Sequence, residues 1–425
     1  MSSTTSDLIS QLNPTPEERL LVICARLELA QNQRDELIAL LAGLLDWEQV
    51  LHKAQWHDLA ALVFHHLRGL DNRNQIPAQA MGQLKATYVA NVARNLYFQA
   101  ELRRALEVLK TQEIPVILLK GAALAGTVYE DVGLRPMSDL DLLVPEELVH
   151  TAQAAVRELG YRPVGSQEEQ DDTEQHHQHM PGLVGVGKPV LFEIHRHIVR
   201  RDSVLHFNID GFWSRAQEVS LVGTGALVLA PEDLLIHLSL NFFLDRRFRS
   251  VMALRQLCDI AASVGYYQGC LCWQLLTDKV QEDRLTGPVG CALYSAQQLL
   301  GAQIPGEVVQ QLWPGGLEAT QVKRFLRRRV LDTRPWVARA LASPGSNYRP
   351  GQVAMASLHH LIPSRSYMAR QYNQPALEGQ GHLLYFKRVW EGLLIFFRAA
   401  TRPHELKEDL ALDRWHHSLY PVPKR

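Results

Sequence analysis

Apolar residues recur about every three to four positions over most of the first hundred residues, a period that predicts helices. The first is expected from Thr15 to Leu29: Pro16 suits an opening helical turn, and Glu17 and Glu18 favour the positive helix end. The same spacing runs through Arg34 to Leu45, Trp47 to Ala54, His57 to Leu70 and Pro77 to Leu109. It changes at Ile114 to Leu119, a compact β-branched run closed by Gly121, which reads as a buried strand. A helix from Ala122 to Tyr129, a Gly- and Pro-marked loop from Asp131 to Ser138, an alternating strand from Asp139 to Val144 and a helix from Pro145 to Gly160 follow. Val190 to His197 alternates again and predicts a third core strand, whereas the polar stretch Ser166 to His179 reads as a loop.

From Pro231 the period is helical once more, over Glu232 to Leu244, Phe248 to Val264, Trp273 to Val280, Val289 to Leu300 and Ala319 to Ala342. A Pro/Gly/Ser/Asn loop at Ser343 to Pro350 precedes a last helix at Leu383 to Ala400. The order predicts an α/β (α+β) fold with a mixed-sheet core in residues 109–228. A helical N-terminal region, 1–108, and a helical C-terminal region, 229–425, are expected to flank it.

The length of 425 residues is enough for two or three packed units. An apolar fraction of 46% with 21% charged residues excludes a disordered or fibrous chain. With 44 basic against 45 acidic side chains, no overall field draws the protein onto nucleic acid, so a long nucleic acid is disfavoured as substrate. The five cysteines, Cys24, Cys258, Cys270, Cys272 and Cys291, have no metal-knuckle spacing and read as reduced thiols. Met1 to Pro14 lacks the pattern of a secretory signal, and no apolar stretch approaches the roughly 18 residues needed to span a bilayer. A cytoplasmic protein without a membrane span is expected.

The candidate chemistry gathers at the three strands. Residues two apart on a strand share a face, so Asp139 and Asp141 are expected to project together as two repelling surface carboxylates. Such a pair is relieved by a hard divalent ion, which takes one or two carboxylates plus substrate phosphates. Glu193 would complete the set from the neighbouring strand, sharing a face with His195 and His197. Lys120 and Gly121, where a strand gives way to a helix, would aim an ammonium and backbone N–H groups at a phosphate. No Walker-type Gly-x-x-x-x-Gly-Lys-Ser/Thr surrounds Lys120, which excludes a P-loop.

Leu118-Leu-Lys-Gly-Ala-Ala123, Gly133-Leu-Arg-Pro-Met-Ser-Asp-Leu-Asp-Leu-Leu-Val144 and Phe192-Glu-Ile-His195 resemble the uncharacterised nucleotidyltransferase family of the polymerase-beta-like superfamily. Trp47 to Leu67 and Asp233 to Ala262 extend the likeness, and Pro363 to Tyr372 does so more loosely. The resemblance implies that Asp139 and Asp141 are the metal-ligand pair, Glu193 the third carboxylate and Gly121 the glycine closing the first strand. Lys120, Arg135 and Ser138 would contact phosphates, with His195 in support. It implies Mg²⁺ or Mn²⁺ as cofactor and a nucleoside triphosphate as donor. The acceptor would be a small molecule, peptide or protein rather than a long nucleic acid. Ala122 after Gly121 and the long gap to Asp139 depart from many superfamily members but are usual for this family.

Two rival readings use the same residues: a non-catalytic nucleotide-binding scaffold and a metal-dependent phosphohydrolase with water as acceptor. Elsewhere the bland reading prevails. His176, His177 and His179 lie among acids and read as a solvated segment rather than a ligand cage. Arg246, Arg247, Arg249 and Arg255, with Arg324, Arg327, Arg328 and Arg329, read as solvated helix faces. Asp259 either faces the cleft or pairs with a base such as Arg255.

Overall fold

The computed structural model describes residues 11–70, 75–201, 208–221, 223–244, 253–313 and 319–331, together with Ile9, Ser203, Leu205, Trp415 and Leu419. The expected helix at Leu383 to Ala400, the loop at Ser343 to Pro350, residues 248–252 and 332–342 of two further expected helices, and Arg246, Arg247 and Arg249 lie outside them. The chain divides into two units, one of 1–245, 251–331 and 420–425, the other of 246–250 and 332–419; every helix and strand named below belongs to the first.

Helices open the chain as the periodicity predicts: α1 Pro16–Cys24, α2 Gln31–Leu41, α3 Trp47–Trp56, α4 Ala60–Arg68 and α5 Ala78–Thr111. Thr15 caps α1 by accepting from the Glu18 N–H at 3.3 Å, while the Glu18 carboxylate accepts from the Thr15 N–H at 2.9 Å, a reciprocal capping box. Along α5, Phe98, Leu102, Leu106 and Leu109 fall on one stripe and are buried in the sheet's core.

Then come β1 Ile117–Leu118, α6 Lys120–Leu124, β2 Leu140–Leu143, α7 Val149–Glu158, β3 Tyr161–Pro163, α8 Gln167–His176, β4 Leu183–Gly185, β5 Leu191–His195, α9 Asp210–Arg215, β6 Gln217–Leu221 and β7 Thr224–Val228. The remaining helices are α10 Pro231–Leu244, α11 Ala253–Tyr266, α12 Trp273–Glu282, α13 Thr286–Leu300, α14 Gly306–Leu312 and α15 Ala319–Leu326. The expected α/β fold with a mixed sheet is the fold adopted. No helix among the described residues is long and apolar enough to cross a membrane.

The seven strands form one sheet in the order β3-β4-β5-β2-β1-β7-β6. Its centre pairs β2 in parallel with β5 and antiparallel with β1, and β1 in parallel with β7. Register places Leu140 opposite Phe192 and Leu142 opposite Ile194. These four side chains share one face by the two-residue strand period and lie in the core with α5 and α7. The alternate positions, Asp141 opposite Glu193 and Leu143 opposite His195, fall on the other face.

Several elements differ from expectation, and strands β3, β4, β6 and β7 add to the three expected. The first strand is shorter than Ile114 to Leu119, because Pro115 has no N–H to donate and Glu113 turns the chain at φ +57°. Pairing nonetheless reaches past its ends: Val116 O accepts from Leu227 N and Leu119 N donates to Asp141 O, both at 3.1 Å. The polar stretch from Ser166 holds a helix, α8, with none of its residues buried. Without an apolar stripe it leaves no periodic signal, although Ser166 and Glu169 form a second capping box that marks its start. The hairpin of β6 and β7 completes one sheet edge and was not anticipated, β6 being mostly exposed.

Candidate active site

Asp141 stands at the centre of the polar face. It is fully buried, and its Oδ1 accepts from both Lys120 Nζ and His195 Nε2, each at 2.8 Å. Glu193, also buried, lies directly across the β2–β5 pairing, and its Oε2 is 3.5 Å from His195 Nε2. These three residues, Asp141, Glu193 and His195, offer ligand atoms all within 4.8 Å of one another. The expectation of two surface carboxylates side by side is corrected here: Asp141 is buried inside the strand, whereas Asp139 precedes the strand and is half-buried.

Lys120 reaches Asp141 because of an unusual backbone. It sits at φ +44° as the first residue of α6, a left-handed conformation that costs a non-glycine residue about 1–3 kcal/mol and persists only where its surroundings hold it. The Leu119–Asp141 backbone bond and the Lys120–Asp141 ion pair hold it from both sides. The side chain remains 21% exposed.

The charges shape one another. Burial alone would raise the Asp141 carboxyl, but Lys120 and then His195 hold it well below its ordinary value. Burial would lower Lys120, yet Asp141, Glu193 and Asp139 together raise it. His195, against the pull of burial, is raised by its hydrogen bonds to Asp141 and Glu193. Glu193 is likewise lowered despite burial, chiefly by His195 and His179. The second oxygen of Asp141, Oδ2, is buried and has no hydrogen-bond partner among the described residues. An unpartnered carboxylate oxygen inside a protein is costly, and a cation beside it would satisfy it.

Arg135 lies in the loop leading to β2 and is buried. Asp259 of α11 grips it with two bonds of 2.9 Å, to Nε and Nη2, and Tyr129 donates to the same carboxylate at 2.8 Å. Arg255 is also 3.6 Å from Asp259, so ion pairing accounts for Asp259. The third nitrogen, Nη1, is turned toward Gly121. A Cβ built on Gly121 would stand 2.6 Å from Nη1 and 3.1 Å from the Met137 Cγ. Gly121→Ala is therefore expected to cost roughly 1–3 kcal/mol, since the clamped guanidinium cannot yield freely. Urea unfolding of the variant measures this; an unchanged midpoint would show that Arg135 moves aside. Ser138, next in the loop, is exposed.

The site gains His237, which the sequence does not single out, and His179, for which the reading as part of a solvated segment is corrected here. His179 is only 15% exposed, and its Nε2 lies 3.9 Å from Glu193 Oε2 while its Nδ1 donates to the Met180 carbonyl at 2.7 Å. Its place is set by a bridge to His195 that continues the sheet just beyond α8. His237 of α10 is buried, feels Lys120, Asp141 and His195, and is held neutral by burial and by Lys120, its pKa pushed down to about 3. Nothing in its helical sequence distinguishes it from a core position.

Comparison with known proteins gives one match: the family model described as uncharacterised nucleotidyltransferase covers residues 44–301, more than half of the chain. No curated protein matches, and no solved structure matches.

Proposed function

This chain belongs to the uncharacterised nucleotidyltransferase family, and on that premise we propose that it moves a nucleoside monophosphate from a nucleoside triphosphate to an acceptor, releasing pyrophosphate. The observation that carries the reading is the in-register pair Asp141 and Glu193 on adjacent parallel strands, beside a strand-end lysine and with Asp141 Oδ2 unsatisfied. The donor set fits a divalent cation, Mg²⁺ or Mn²⁺, held by Asp141 and Glu193 with Asp139 completing the shell from the loop. Such an ion would neutralise phosphate charge as the triphosphate is cleaved.

The protein's own groups then have separate tasks. Lys120 turns its ammonium from Asp141 toward the phosphates. Gly121, lacking a side chain, lets Arg135 Nη1 lie against the start of α6, whose backbone N–H groups would receive the phosphates. Arg135 offers Nη1 beside that glycine, and Ser138 a hydroxyl from the loop. Glu193 takes the proton of the acceptor hydroxyl as the acceptor oxygen bonds to the α-phosphorus and the bond to the β-phosphate oxygen breaks. The helical region from Pro231 shapes the acceptor pocket, and the reaction takes place in the cytoplasm.

The test is incubation with each α-labelled triphosphate, Mg²⁺ and fractionated cell extract, reading label transfer and pyrophosphate together. Label on an acceptor with equimolar pyrophosphate is the expected result. Orthophosphate without transfer would identify a phosphohydrolase, and binding without turnover a scaffold; either overturns the reading.

A further inference from the structure

We propose that His195 is a direct nitrogen ligand of the cation, so that the site selects a first-row transition ion such as Mn²⁺ or Co²⁺ over Mg²⁺. The inference rests on the cation-binding part of the function proposed above and goes beyond it by naming the ion's class. Mg²⁺ takes oxygen ligands and keeps its waters, whereas imidazole nitrogen suits the transition ions.

The ring's surroundings carry the argument. His195 Nδ1 faces the His197 carbonyl at 3.3 Å, which assigns its proton to that side. A histidine whose second nitrogen is fixed by a backbone carbonyl is the usual arrangement around a bound metal. The remaining nitrogen, Nε2, donates its proton to Asp141 Oδ1 at 2.8 Å and faces Glu193 Oε2 at 3.5 Å, and a metal ion would take that proton's place. Three lone-pair donors converging in this way require a proton or a metal ion between them. Donors sharing a cation at about 2.1 Å stand roughly 3 Å apart at right angles and about 4 Å apart across it, the range these distances occupy.

Asp141 Oδ2, buried and without a hydrogen-bond partner among the described residues, is a second, independent observation on the same carboxylate. His179 supports Glu193 from outside: with Nδ1 bound to the Met180 carbonyl, its Nε2 faces the glutamate oxygen. Asp141, Glu193 and His195 all sit on paired strands, so the sheet sets the geometry of these three donors.

The experiment adds Mn²⁺, Co²⁺ or Mg²⁺ to the full chain without nucleotide and measures affinity by calorimetry and ligation by pulsed electron paramagnetic resonance of bound Mn²⁺. Bound Mn²⁺ is expected to show coupling to a directly bonded nitrogen and to bind about tenfold or more tighter than Mg²⁺. His195→Gln is expected to abolish the coupling and to weaken Mn²⁺ about tenfold while leaving Mg²⁺ within about threefold. Mn²⁺ bound without nitrogen coupling in the wild-type protein overturns the proposal, whether or not the variant folds. That result leaves the carboxylate site and nucleotidyl transfer standing. Failure of Asp141→Asn to weaken any of the three ions would instead overturn the cation site itself.

Discussion

Asp141→Ala is expected to abolish nucleotidyl transfer and to destabilise the fold by about 3–5 kcal/mol. Removing one partner of a buried charge cluster strands the others, and here Lys120 and His195 would both lose the oxygen they share. Asp141→Asn separates the two effects. An amide oxygen still accepts a hydrogen bond, so stability should fall less, while the negative charge that fixes the cation is gone. Activity of both variants should be lost, with the unfolding midpoint of Asn lying between Ala and wild type. Wild-type turnover in either would remove Asp141 from the site. The surface pair that the sequence implies would predict almost no stability change, so the unfolding curve alone distinguishes the buried carboxylate from an exposed one.

The second large effect lies at a distance in sequence. Asp259→Ala leaves Arg135 buried with its two strongest bonds gone, at a cost of about 3–5 kcal/mol. The consequence for function runs through Gly121, against which Arg135 rests. A released guanidinium no longer holds Nη1 at the start of α6, so triphosphate affinity should fall. Asp259→Glu, which keeps the charge with a longer reach, should recover part of both. Chemical unfolding and nucleotide calorimetry on the same preparations provide the check. A destabilised variant that binds nucleotide as tightly as wild type would confine Asp259 to a structural role.

The strand-borne part of the site is legible in the sequence because strand alternation fixes which residues share a face. Spacing gives the faces within each strand, Asp139 with Asp141 and Glu193 with His195, and the change of period marks the strand end at Lys120-Gly121; that Asp141 and Glu193 meet is set by the β2–β5 pairing. Burial is not legible in the same way. Asp139 and Asp141 have identical spacing credentials, and only the strand boundary and the packing over β2 make one buried and the other half-buried. His179 reads as solvated in the sequence because it follows a helix with no apolar stripe, and it enters the site through a single bridge to β5. The Arg135–Asp259 clamp joins positions 124 residues apart, and no local pattern signals that pairing. Local rules therefore place the two carboxylates and the lysine, whereas the residues that hold them come from long-range packing.

The central claim is that the carboxylates hold a cation that receives a triphosphate, and calorimetry of ATP, GTP, CTP and UTP with excess Mg²⁺ and with chelator tests it most directly. Unscreened, each carboxylate–phosphate pair at 4 Å repels by about 4 kcal/mol near a protein surface, worth roughly a thousandfold in affinity. A shared cation converts that repulsion into a bridge. At least one triphosphate is expected to bind far more tightly with metal than with chelator, and Asp141→Asn should erase most of the difference. Equal affinity in the two conditions would contradict the account, because carboxylates that do not hold a metal cannot be the centre of a metal-dependent nucleotidyltransferase.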